Sequence, residues 1–395
     1  MHSIVLKPGR ERPVLRRHPW IFSGSIAEVR GDPAAGETVD IYGSDHVWLA
    51  RGAYSPESQI RVRIWTWDPE IEINEVFMHD RIMHAVRVRE SLRGDPGITA
   101  YREIHAESDH LPGLIVDRYG AFRVVQFLSQ GVERHRDTII ESLAQDLELE
   151  GIYERSDADV RQLEGLLPQV GLLWGREPPQ RLQIQEHDLQ FFVDIHQGHK
   201  TGFYLDQRKN RQEIRSWIKG DVLDAFCYTG AFTLSALRAG AETLVSVDSS
   251  AHALALAVEN LNLNHLESSQ TEPVEADVFH YLRSCRDSRR TFDVIILDPP
   301  KFAATSSQAE RASRGYKDIN LLAFKLLRPG GILITFSCSG GISQELFQKI
   351  IADAALDADV DASIHAILGQ APDHPVHLRF PEGRYLKGLI CRVQA

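Results

Sequence analysis

Five residues stand where chemistry could be done. Asp224, Asp248, Asp277 and Asp298 each lie at or near the end of a stretch that reads as a strand, and Cys338 ends a fifth. An aspartate at the carboxyl end of a buried strand can accept hydrogen bonds from the hydroxyls and amines of a nucleoside. Asp248 follows Asp224 by 24 residues, near the spacing of about 20 at which an acid reaches a ribose diol. The competing reading is that such acids only cap helices, but capping alone does not require four in register. A thiol at the same edge is either a nucleophile or inert packing, and its position leaves both open.

The elements that must position these residues follow from hydrophobic patterning. DVLDAFCYTGAFTLSALRAG, 221–240, reads as a buried strand, a tight turn ending in Gly230, and a helix stopped by Gly240. Behind it ETLVSVD, TEPVEAD, FDVIILD and RPGGILITFSCS read as further strands. Helices are expected over Ala251–Asn264, Ile319–Leu327 and Gln344–Ala355, and closing strands over Ser363–Gly369 and Lys387–Val393, the second antiparallel at the sheet edge. Strands alternating with helices predict an α/β, Rossmann-like doubly wound sheet with one ligand cleft along its carboxyl edge. The sequence has no GxGxxG; one glycine ends the turn.

Upstream, Met1 to about Trp67 reads as a small β domain, with strands at SIVLK, ETVDIYG, VWLARGAYS and IRVRIWTW. Its first loop mixes Arg10, Arg12, Arg16, Arg17 and His18 with Trp20 and Phe22. Cations interleaved with aromatics suit a nucleic-acid backbone and stacked bases; Trp20 and Phe22 serve equally as core. A helix is expected over Ile71–Leu92, then an α+β unit to about Asp194 with a helix over Glu133–Leu147 and a turn-rich connection LWGREPPQRL. The predicted domains are therefore 1–68, 69–194 and 195–395.

A chain of 395 residues with 43% hydrophobic and 25% charged residues has room for two or three cores. The charged start MHSIVLKPGRERP lacks the apolar stretch of a signal peptide. Four widely spaced cysteines without a CxxC pair argue for a reducing compartment and against a zinc site. His196 and His199 have no evident third ligand. A cytoplasmic protein without metal or membrane anchor is expected. A net charge of −11 argues against non-specific coating of nucleic acid. Two local basic runs border the predicted cleft, His196–Gly220 and Lys301–Arg328, each with six Lys/Arg against two acids. Together they favour a polyanion near it, with Lys200, Arg208 and Lys301 as candidate contacts; solvated helix faces are the plain alternative.

In HKTGFYLDQR, DAFCYTGAF, LDPPKF, RGYKDIN, GGILITFSCSG, LFQKIIADAA and FPEGRYLKG, the chain resembles class I S-adenosylmethionine-dependent methyltransferases. More narrowly, over nearly its whole length, it resembles the PUA-domain 23S ribosomal RNA cytosine-C5 methyltransferases. The resemblance implies a PUA-like RNA-binding barrel, a central α+β domain and a Rossmann-like catalytic domain. It implies S-adenosyl-L-methionine as cofactor and 23S rRNA as partner, and leaves room for a homodimer. The turn residues Asp224, Phe226, Tyr228 and Gly230 would face the methionine end of the cofactor, Asp248 its ribose and Asp277 its adenine amine. Asp298 would serve both cofactor and target base, and Cys338 would be the nucleophile.

Two departures stand out. Ala231 replaces a second glycine that many relatives carry, which is tolerable if its φ is negative. Lys301 stands where another RNA cytosine-C5 group has a second cysteine. Two other functions compete with this one: methylation of an exocyclic amine such as guanine N2, which loops of the DPP type also serve, and a non-catalytic role as an RNA-binding assembly factor.

Overall fold

The apolar runs and amphipathic helices fold as their periods dictate, in a computed structural model that describes residues 2–266, 270–302 and 309–394. The chain forms two compact units. One comprises Met1–Gln185, Val193–Leu205 and Pro372–Gly383; the other comprises Glu186–Phe192, Asp206–Ala371 and Arg384–Ala395.

The first unit holds two sheets. Six strands lie in the order Trp20–Phe22, Ile60–Thr66, Trp48–Tyr54, Thr38–Tyr42, Ser3–Leu6, Ile26–Arg30. All neighbouring pairs are antiparallel except Ser3–Leu6 with Thr38–Tyr42, which is parallel. Ile4, Leu6, Val39, Ile41, Ala50, Val62 and Ile64 fill its interior. Trp20 and Phe22, read as part of a loop, form an edge strand instead. The second sheet has five strands, in the order Gln169–Gly175, Gly151–Ser156, Phe122–Phe127, Leu114–Tyr119, Ala100–His105.

The helix expected over Ile71–Leu92 runs over Glu75–Val88, because Asn74 caps it by accepting from Phe77 N at 3.0 Å. The helix expected over Glu133–Leu147 is divided into Gln130–Arg134 and Arg136–Leu143. The strand Gln169–Gly175 covers the start of the stretch read as a turn-rich connection. It lies at a sheet edge with Val170, Leu172 and Trp174 exposed, so apolar residues on its open face leave no apolar/polar alternation to read.

The second unit is built on a seven-stranded sheet in the order Thr271–Glu275, Thr243–Asp248, Asp221–Ala225, Phe292–Leu297, Leu327–Ser337, Lys387–Val393, Ala362–Gly369. The first five strands are parallel. Strand order reverses between Asp221–Ala225 and Phe292–Leu297, so the cleft belongs at their carboxyl ends. Lys387–Val393 is antiparallel as expected, but it is inserted between two strands; Ala362–Gly369 forms the edge. The core contains Leu223, Val245, Ile295, Leu297, Leu333, Tyr316 and Phe347. Among the described residues no helix is long and apolar enough to cross a membrane.

Candidate active site

The turn after Asp221–Ala225 owes its shape to three left-handed residues, Phe226 (φ 65°), Tyr228 (φ 49°) and Gly230 (φ 79°). A side chain on Gly230 would place its Cβ 2.9 Å from the Ala257 methyl, so the close approach to the neighbouring helix requires glycine. Ala231 begins the helix Ala231–Arg238 with an ordinary negative φ, and its methyl is accommodated there. Cys227 N donates to Val247 O at 3.1 Å and Gly230 N to Cys227 O at 2.9 Å, which fixes the turn against the next strand.

Asp248 organises the same turn from that strand. Its Oδ2 accepts from Tyr228 N at 2.9 Å and its Oδ1 from Ser250 N at 2.9 Å. Two N–H donors aim the carboxylate and leave lone pairs to spare. Asp224 is fully buried, and its Oδ2 accepts from Thr233 Oγ1 at 2.7 Å, while Oδ1 has no hydrogen-bond partner among the described residues. An orphaned buried acceptor beside a glycine turn and a positioned carboxylate is a set of donors and acceptors that suits an amino-acid-bearing nucleoside.

Burial, reinforced by the nearby Asp248 charge, raises the Asp224 carboxyl from 3.8 to about 7. A folded value above the unfolded one stabilises the fold fully below about pH 4, and that contribution is lost as pH rises through about 7. Asp224→Asn cannot ionise. Its melting temperature is therefore expected to gain several degrees on wild type as pH rises from about 5 to about 8. Parallel melting curves across that range would contradict this.

Asp277 is placed differently. It caps the helix Val278–Asp287, with Oδ1 accepting from His280 N at 2.9 Å, and the side chain is exposed. For this residue the capping role weighed from sequence is present.

Asp298 follows the strand Phe292–Leu297. Its N donates to Ala225 O at 3.3 Å, and its Oδ1 accepts from Gln207 Nε2 at 3.0 Å. Gln207 is buried and accepts in turn from Asn210 Nδ2 at 2.5 Å, which fixes its amide orientation. Pro299 and Pro300 stiffen the loop that follows, and the Cys338 Sγ lies 4.0 Å from Pro299 O.

Of the four cysteines, Cys338 is the one with partial exposure; Cys227, Cys285 and Cys391 are buried. Burial pushes the Cys227 and Cys285 thiols up and the Cys391 thiol to about 12, so none of them is a thiolate at neutral pH. Ser339, next to Cys338, ties the site together. Its Oγ accepts from Phe302 N at 3.1 Å and bonds Tyr316 OH at 2.9 Å, and its carbonyl accepts from Lys387 Nζ at 2.7 Å. Sequence reasoning assigned no chemistry to Gln207, Tyr316, Ser339 or Lys387, although all four lie in the motifs that carry the family resemblance.

The basic runs are partly open surface: Lys200, Lys209, Lys219, Lys301, Arg311, Arg314 and Lys325 are exposed, while several of the cations are paired with acids. Arg211 pairs with Glu186, Arg215 with Asp188, Arg314 with Glu310, Lys317 with Asp357, and Arg328 with both Asp221 and Asp293. Arg208 is buried. Lys301 is exposed, and the exposed Lys200 lies with Nζ 4.4 Å from the Tyr204 ring centre. In the first unit Arg10, Arg12, Arg16 and Arg17 are all exposed. Trp20 is held within that unit, its indole donating to Glu107 at 2.8 Å and its ring meeting Phe380 edge-on at 4.8 Å. Phe22 remains exposed.

Residues 4–67 match the family of PUA-like domains, and residues 168–367 match the S-adenosylmethionine-dependent methyltransferases. A protein described as a methyltransferase complexed with SAH has the same fold, with a TM-score of 0.87 at 23% identity over all of both chains. Fold and sequence thus define an S-adenosylmethionine-dependent methyltransferase behind a PUA-like domain. Ribosomal RNA large subunit methyltransferase I of Shewanella denitrificans is 53% identical over 99% of both chains. Its namesake from Aeromonas hydrophila is 52% identical over the same share. The chain belongs to the ribosomal RNA large subunit methyltransferase I family.

Proposed function

We propose that this protein methylates the C5 carbon of a cytosine in 23S rRNA, in the cytoplasm, through a Cys338 thiolate adduct. The observation that carries the reading is Cys338 itself: a partly exposed thiol 4.0 Å from Pro299 O, one loop away from Asp298. Ring C5 is a poor nucleophile until a thiolate adds at C6. That addition forms the S–C6 bond and makes C5 enamine-like; after methyl transfer, loss of the C5 proton breaks the S–C6 bond and returns the thiolate. Bound S-adenosylmethionine supplies the electrophilic methyl group. Asp298, oriented by Gln207, holds a proton or hydrogen bond at the N3/N4 edge of the base, where charge develops as sulfur adds. The target base must leave its stack to reach this edge, which favours single-stranded or readily opened RNA.

In this reading Asp224, Phe226, Tyr228 and Gly230 hold the methionine end of the cofactor, Asp248 its ribose hydroxyls and Asp277 its adenine amine. The division into 1–68, 69–194 and 195–395 gives the first domain the task of holding RNA. Arg10, Arg12, Arg16 and Arg17 are the phosphate contacts there, joined by Lys200 and Lys301; Arg208, being buried, supports the fold.

Asp248→Ala removes the acceptor for Tyr228 N and Ser250 N together with the ribose contact. Its affinity for S-adenosylhomocysteine is expected to fall at least about tenfold, or ~1.4 kcal/mol, by calorimetry; unchanged affinity would remove Asp248 from the site. Mass spectrometry of 23S rRNA nucleosides tests the function itself. Cells lacking the gene are expected to lose one 5-methylcytidine, and loss of an amine-methylated guanosine instead would move the assignment to the exocyclic-amine reaction.

A further inference from the structure

Lys387 is a buried cation that the scheme above leaves unused. It opens the strand Lys387–Val393, whose antiparallel register sets it opposite Ser337, the residue before Cys338. Its side chain is 2% exposed, and Nζ donates at 2.7 Å to the carbonyl of Ser339, the residue after Cys338. Lysine is almost never buried unless paired, because its charge loses hydration. Yet among the described residues no carboxylate lies within ion-pairing distance of this ammonium, and no acid figures among the charges acting on it.

The groups that surround it narrow what compensates the charge. Cys338 and Lys301 are the charged or titratable groups acting on it. Lys301 is exposed and repels it. From the helix Ala309–Leu326, Tyr316 reaches Ser339, and burial raises its phenol so that it stays neutral. The strand on the other side brings only Gly369 opposite Lys387. A negative charge on sulfur is left as the counter-charge. Burial pulls the Lys387 ammonium down and a Cys338 anion partly opposes it, leaving it at about 8.

We propose that Lys387 is a positioning residue that holds Cys338 as a thiolate, its ammonium anchored beside the sulfur by the Ser339 carbonyl. The proposal rests on the thiolate reading of Cys338. Coupling of this kind is reciprocal: a cation beside a thiol lowers the pH at which the thiol ionises, and a thiolate beside an ammonium raises the pH at which the ammonium loses its proton.

The test is the pH dependence of Cys338 alkylation by iodoacetamide, read by peptide mass spectrometry on the full chain. In Lys387→Met, which keeps the apolar stem, the midpoint of the rate profile should rise by about one pH unit, leaving alkylation near pH 7 roughly tenfold slower. Lys387→Arg should stay near wild type. A folded Lys387→Met chain with an unshifted profile overturns the proposal, since a lysine that merely braces the Ser339 carbonyl would not move it.

A second measurement does not depend on that variant folding. In chains labelled with ¹³C at the lysine ε-carbon, Lys387 should titrate at lower pH in Cys338→Ala than in wild type; identical titration would also overturn the proposal. Neither readout involves RNA or methyl transfer. Failure of the underlying thiolate reading would appear separately, as methylation by Cys338→Ala.

Discussion

Cys338→Ala is expected to lose methyl transfer to 23S rRNA by roughly 10³-fold or more, the scale on which enzymes lose activity with their nucleophile. Affinity for S-adenosylhomocysteine should stay within about twofold, a change well under 1 kcal/mol. The separation follows from position. Cys338 follows the Leu327–Ser337 strand, whereas the Asp224–Gly230 turn is braced by Asp248 and Val247 from the strand on its far side. Replacing a partly exposed thiol by a methyl leaves the Ser339 contacts to Phe302, Tyr316 and Lys387 in place. No other cysteine can substitute, because all three are buried thiols. Transfer of labelled methyl to rRNA, set beside calorimetry, measures both halves. A near-wild-type rate would replace the thiolate route with amine methylation.

Asp298→Asn should show the second largest loss, about 10²-fold in turnover, the usual cost of removing one donor aimed at developing charge. Asparagine keeps an oxygen to accept from Gln207 Nε2 at the observed 3.0 Å, so the loop geometry survives. What it loses is the ability to hold an ionisable proton at the base. Loss in turnover with little change in RNA affinity is the expected split under single-turnover conditions. If Asp298→Asn turned over at wild-type rate, Asp298 would be a purely structural partner of Gln207.

The central strands of the catalytic sheet were legible because they are short apolar runs that end at or beside an aspartate, as in FDVIILD before Asp298. Such runs announce burial on both faces without reference to anything distant. The ion pairs within the basic runs were illegible for the opposite reason. Arg211 finds Glu186, Arg215 finds Asp188, and Arg328 finds Asp221 and Asp293, partners remote in sequence that a local charge count cannot see. Asp277 shows the limit of the strand-end rule, since an acid there can also cap a helix.

Lys387 was hidden more deeply. A lysine opening a presumed edge strand reads as solvent-exposed; it is buried because Ala362–Gly369 folds over to take the edge. The strands Trp20–Phe22 and Gln169–Gly175 escaped because short edge segments flanked by proline and glycine carry loop chemistry in their sequence.

The central claim, a covalent bond between Cys338 and a cytosine ring, is tested most directly with 23S rRNA fragments transcribed with 5-fluorocytidine. Fluorine at C5 cannot leave as a proton, so once the methyl group is transferred the thiolate cannot be expelled and the adduct persists. Wild-type protein with S-adenosylmethionine should give an enzyme–RNA complex that survives denaturing electrophoresis, with the RNA mapped to the peptide containing Cys338. Cys338→Ala should give none, while Cys227→Ala still traps. Methylation of unmodified RNA without any trapped complex, or an adduct mapping to another cysteine, would contradict the account.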